Sequence, residues 1–114
     1  MLNSIDFYPE LIINLPEADI PFDGVRGWLL QGGNNQLVFF ELEPIGIIPP
    51  HSHGAQWGTV LEGEIELTIN DVTKTYGKGD SYYIPGGAVH SVTLKTKSFV
   101  LDFFADKDRY QVIG

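Results

Sequence analysis

The sequence predicts an all-β domain closed as a sandwich or barrel. Short runs rich in β-branched and aromatic residues recur along the chain, separated by turn residues. No segment sustains a helical periodicity, and the 13 glycines and 7 prolines are spaced so that few intervals could hold three helical turns. A parallel sheet would need crossover helices between its strands, so short and even spacing points to antiparallel pairing.

Residues 1–24 are the least regular stretch and are expected to form an arm or edge strand outside a barrel of residues 25–114. Within the arm, Leu11, Ile12 and Ile13 could make a short strand, but Pro16, Pro21 and the acids Glu17, Asp19 and Asp23 break anything longer. Runs 25–31 and 36–43 flank Gly32, Gly33, Asn34 and Asn35, residues that tolerate positive φ, and so predict a hairpin. Pro44 and Gly46 interrupt, and Ile47 and Ile48 lead through Pro49 and Pro50 into His51. Run 57–70 alternates clearly after Gly63, which marks a bulge or bend. Asn70 and Asp71 make a tight turn, 72–76 returns, and 77–80 turns again. Runs 81–84, 89–94 and 99–104 supply the remaining strands, with Pro85, Gly86 and Gly87 forming the turn between the first two.

Length and composition fit one domain with its own core: 114 residues, 43% hydrophobic and 19% charged. Fifteen acids against seven bases give a formal charge of -8, with no basic cluster. Nucleic acid and anionic membrane surfaces are therefore not expected partners, since both need concentrated lysine and arginine. The absence of cysteine excludes disulfides and thiolate chemistry and restricts any metal to nitrogen and oxygen ligands. No leader-like segment or apolar run of membrane-spanning length is visible, which makes a cytoplasmic location the expectation.

Only three histidines occur, and they stand at the two most punctuated points of the chain. His51 and His53 are two apart, so an extended segment would send both imidazoles from one face. His90 follows the turn at 85–87. Imidazoles from two strands can converge inside a barrel, and neutral nitrogen donors suit Fe(II), Ni(II), Mn(II), Cu(II) or Zn(II) with positions left for water or substrate. The competing reading is three core histidines satisfied by hydrogen bonds.

With these residues the chain resembles the cupins, small β-barrels of jelly-roll (double-stranded β-helix, RmlC-like) topology with a metal site inside. Their first motif sets five residues between a glycine and His-x-His, then three or four residues before a glutamate, then six residues before a glycine. Here only four residues separate Gly46 from His51, His51-Ser52-His53 matches, and Gln56 replaces the glutamate, with six residues between it and Gly63. Gly79, Pro85, Gly87 and His90 fit the second motif, with Leu94 in place of its final asparagine. Fifteen residues separate the motifs, and the resemblance covers residues 37–104. It implies one divalent transition metal held by His51, His53, Gln56 and His90. Strict alternation from His53 would instead turn Trp57 inward and leave a three-histidine site, so both arrangements stay open. By analogy with the last strand of small cupins, Phe104 and Tyr83 are candidate pocket residues.

The resemblance extends to dioxygenases, isomerases, decarboxylases and non-catalytic binding domains, so it does not by itself name a reaction. A metal-dependent enzyme acting on a small organic molecule leads, with a small-molecule or sugar-binding module as the alternative. Glutamine in place of glutamate leaves the metal's double charge unbalanced, so an anionic ligand is expected. No general base is identifiable. A homodimer is also expected, with the apolar arm residues Phe7, Tyr8, Leu11, Ile12 and Ile13 covering a neighbouring copy.

Overall fold

Nine strands fold into two antiparallel sheets in the computed structural model, which describes residues 4–113. The strands are β1 (Val25–Gln31), β2 (Gln36–Leu42), β3 (Gly46–His51), β4 (Gln56–Glu62), β5 (Glu64–Ile69), β6 (Val72–Gly77), β7 (Ser81–Ile84), β8 (His90–Leu94) and β9 (Ser98–Phe104). The larger sheet has the order β1-β2-β9-β4-β7 and the smaller one β3-β8-β5-β6. Consecutive strands repeatedly switch sheets, which is the jelly-roll arrangement. Among the described residues no helix is long and apolar enough to cross a membrane.

The turns form where backbone freedom allows them. Gly63 has φ +87°, and it is here that the chain leaves the larger sheet as β4 and enters the smaller one as β5. Asn70 and Asp71 both take positive φ, the conformation of a two-residue hairpin turn matched to strand twist. Pro49 and Pro50 lie within β3, although proline is an unfavourable strand residue. They are tolerated because β3 is an edge strand whose proline nitrogens are not needed for the ladder.

Between the sheets, Val38, Phe40, Val60, Leu67, Ile84, Val100 and Phe104 form the core. The other face of the larger sheet carries a second cluster of Tyr8, Trp28 and Phe99, against which Phe7, Ile12 and Ile13 pack. The arm therefore packs on its own chain through Phe7, Tyr8, Ile12 and Ile13, while Leu11 stays exposed. Tyr8 anchors it by donating a 2.7 Å hydrogen bond to the Phe40 carbonyl. Residues 10–13 are a single helical turn (α2, Glu10–Ile13, after α1, Ser4–Phe7), not a strand. Three apolar residues in a row cannot distinguish the two, and Pro9, extended at ψ 163°, starts the turn. Residues 1–3 of the expected arm lie outside the described residues.

Candidate metal centre

β3 and β8 pair so that His51 stands directly opposite His90, after a register shift between Ile48 and His51. His53 lies in the connection to β4, and its carbonyl accepts a hydrogen bond from the Gly87 amide at 2.8 Å. That bond ties the loop after β3 to the turn before β8. The Asp106 carboxylate holds the loop from the other side, accepting from the Gly54 amide at 2.8 Å. The rings converge: centroids are 4.3 Å apart for His51 and His90, 4.8 Å for His53 and His90, and 5.4 Å for His51 and His53. One nitrogen from each histidine can be chosen so that all three lie within 4.8 Å of one another.

A local carbonyl sets the tautomer of each ring. Nδ1 of His51 lies 2.9 Å from the Pro49 carbonyl, that of His53 2.8 Å from Gly54, and that of His90 2.9 Å from Ala88. A carbonyl can only accept, so Nδ1 carries the proton and Nε2 is left with its lone pair. The Nε2 of His53 is buried without any hydrogen-bond partner among the described residues. Buried histidines of a purely structural core would be satisfied. Burial also pushes the His53 pKa down to about 4 and lowers that of His90, each against a smaller opposing effect of its carbonyl contact. Both rings are therefore neutral donors near pH 7, the form a metal requires. The three histidines fit a divalent metal ion.

The histidines open onto a cavity of about 440 Å³ with a mostly apolar wall that includes Phe40, Ile65, Ile84, Val100 and Phe104. Gln56 is buried on this wall, opposite Phe104 and Ile84 in the ladder, so it faces the site. Its side chain interacts with Asp102 and favours the ionised carboxylate. An amide does this by donating from Nε2, which leaves Oε1 as its remaining acceptor. Trp57 and Tyr83, expected at the pocket, are absent from the wall and lie 44% and 59% exposed on the opposite face of the sheet. The reason is register. β4 begins at Gln56, so alternation counts from there and not from His53 across the irregular loop.

Two functional groups on the wall were not foreseen. Asp102, in β9, is buried and lies between Val38 and Gly58 in the ladder. Burial raises its pKa to about 6 against the opposing hydrogen bonds from Tyr82 and Gln56. Tyr82, on the far side of β4, donates to Oδ1 at 2.6 Å by reaching across Gly58. A Cβ at Gly58 would overlap both the Asp102 carboxylate and the Tyr82 ring. Gly58→Ala should therefore cost ~1–3 kcal/mol, the usual range for overpacking, as read by urea unfolding. The second group is Arg109, whose guanidinium stacks 4.4 Å from the Tyr110 ring centroid. Its Nε is buried with no hydrogen-bond partner among the described residues. Asp102 could have been noticed as the acid in the inward register Val100, Asp102, Phe104; Arg109 follows the last strand, where no periodicity marks direction.

Comparison with known proteins agrees with this architecture. The model of the cupin domain family matches residues 38–104, more than half of the chain. The chain belongs to the cupin family. This cupin is also 30% identical over 81 residues to the H2HPP isomerase of Bacillus subtilis, an alignment covering 69% of the cupin and 34% of the isomerase. It thus spans about a third of the length of that relative. An RmlC-like cupin from Shewanella frigidimarina superposes with TM-score 0.72 at 24% identity, over 82% of this chain and 86% of that one. The oxalate decarboxylase of Bacillus subtilis, which has Mn(II) centres, gives TM-score 0.72 at 23% identity over 85% and 29%. The structural likenesses speak for the fold alone.

Proposed function

We propose that this cupin is a mononuclear metal-dependent enzyme that binds a small carboxylate and moves a proton on it, as an isomerase or lyase does. The observation that carries the reading is Asp102, an acid buried on the cavity wall with a pKa raised to about 6. Such a group is divided between its two protonation states near neutrality, which suits a general acid or base. The Tyr82 hydroxyl and the Gln56 amide hold the carboxylate in place and supply the hydrogen bonds that let it ionise in an apolar wall. Arg109 offers a guanidinium to an anionic ligand, and the apolar residues around it keep that interaction out of water. His51, His53 and His90 would hold a divalent first-row metal, with Gln56 as a candidate fourth ligand. When bound, such a metal acts as a Lewis acid toward substrate oxygens.

The experiment is a screen of metal-loaded protein against 2-oxo and 2-hydroxy acids in deuterium oxide, read by proton NMR for deuterium entering the carbon skeleton. Exchange or product formation supports the enzyme. Saturable binding without either would favour the alternative, a non-catalytic binding module. A second expected outcome concerns ligand charge. Arg109→Gln should weaken binding of a small dicarboxylate by about 10–100-fold, the worth of a hydrogen bond to a charged group. Binding of the corresponding diamide should change little, and calorimetric titration of both ligands checks this.

A further inference from the structure

The cavity between the sheets changes character along its length. Its polar groups gather around one ring. The Phe104 ring centroid lies 5.6 Å from that of His53 and 5.9 Å from the Arg109 guanidinium carbon, and Gln56 is its neighbour in the ladder. One step further along the larger sheet come Asp102 and Tyr82. Beyond them the wall is hydrocarbon on both sides. Phe40 pairs with Val100 on the larger sheet, with Leu42 the next inward residue. Val92 pairs with Leu67 on the smaller sheet, with Ile65 beyond. No polar side chain among the described residues lines this end.

We infer that the ligand is a carboxylate carrying a hydrocarbon tail of about six carbons, with its head at the histidines and Arg109 and its tail between the two sheets, a statement that rests on the carboxylate site proposed above. The size follows from the cavity. At ~30 Å³ per water, 440 Å³ has room for about fifteen heavy atoms. A 2-oxo or 2-hydroxy carboxylate head takes about six of these, and the tail takes most of the rest. The chemistry follows from the wall. Protein interiors are close-packed, and a void far larger than a water is space kept for something. Water finds no partner at a hydrocarbon wall, and cavities of that kind stay dry. A tail therefore gains contact there without displacing ordered water. A hydroxyl carried to the same place would lose its hydrogen bonds without replacement.

The order of groups along the cavity also orients the ligand. Asp102 lies one ladder step in from Gln56 and Phe104 and one step short of Val100, so it stands where head meets tail. In a 2-oxo acid the first tail carbon bears the C–H made acidic by the adjoining carbonyl. The group that can take a proton thus faces the carbon that can give one. An acid with no tail leaves the hydrocarbon wall uncovered, and a polyhydroxylated acid sets its hydroxyls against a wall that offers them no partner.

The test is calorimetric titration of the protein, as purified and loaded with Zn(II), with pyruvate, 2-oxobutanoate, 2-oxohexanoate and a six-carbon 2-oxo acid hydroxylated along its tail. Affinity should rise about threefold for each added methylene, reaching about 30-fold at 2-oxohexanoate. The hydroxylated acid should bind no tighter than pyruvate. Val100→Phe narrows the apolar end and should bring 2-oxohexanoate back to within about threefold of pyruvate. Where that variant fails to fold, the wild-type series decides alone. Equal affinity along the series, or tightest binding by the hydroxylated acid, would overturn the tail and leave the carboxylate head standing. Binding of none of these acids would overturn both.

Discussion

His90→Ala should reduce the metal content of the purified protein from one ion per chain to none, and His51→Ala should do the same. The two residues face each other across the β3–β8 pair, so either loss leaves two donors where three had converged. Removing a partner outside the ligand shell of a metal typically costs ~10–100-fold in affinity, and removing a ligand should exceed that. Elemental analysis of untagged protein and competition against a chelator give the direct readings. Unfolding gives a third: added Zn(II) or Mn(II) should raise the melting temperature of wild type and not of the variants. If wild type takes up none of Zn, Ni, Mn or Fe(II), the metal reading fails, and the orphaned Nε2 of His53 needs another partner.

Asp102→Asn should lower turnover by about 10²–10⁴-fold, the usual contribution of a positioned acid or base, while metal content stays at the wild-type level. The same substitution should make the protein more stable near neutral pH. The direction follows from linkage. A pKa raised from an ordinary 3.8 to about 6 means that the folded state holds a proton the unfolded state has released. That contribution is fully present below pH 3.8 and is lost as pH rises through about 6. Above pH 6 wild type carries the whole cost, at most about 3 kcal/mol. Asparagine keeps an acceptor for the Tyr82 hydroxyl and has no charge to desolvate. The gain should therefore appear above pH 6 and shrink toward pH 4, measured by urea unfolding at several pH values. A stability difference that is constant across that interval would show that Asp102 does not titrate there. Lost turnover together with a pH-dependent gain in stability would separate a group kept for chemistry from one kept for packing.

The strands were legible because their punctuation is chemical. Gly63, Asn70 and Asp71 take the positive φ their types allow, and every run bounded by such residues became a strand. The histidines were legible because three of one rare type sat at two turns. What escaped had to do with direction. An irregular loop separates His53 from β4, so counting by twos across it could not settle whether Gln56 or Trp57 faces inward. The exposed Trp57 and Tyr83 resemble pocket residues in composition, and only the ladder shows them on the other face. Tyr82 and Gly58 had no visible role in one dimension, because their importance lies in a hydrogen bond that passes over one strand to reach another. The arm's packing on Trp28 and Phe99 escaped for a similar reason, since neither residue is near it in sequence.

The bare backbone at Gly58 has a consequence for reading related chains. A side chain at this position and the Tyr82–Asp102 hydrogen bond compete for the same volume, so a relative can keep one or the other. A barrel with alanine or valine there should have given up that hydrogen bond, even where all three histidines persist. Position 58 thus offers a one-letter criterion for sorting relatives by whether a buried acid on the cavity wall can be braced from the neighbouring strand. It can be applied before any of them is purified.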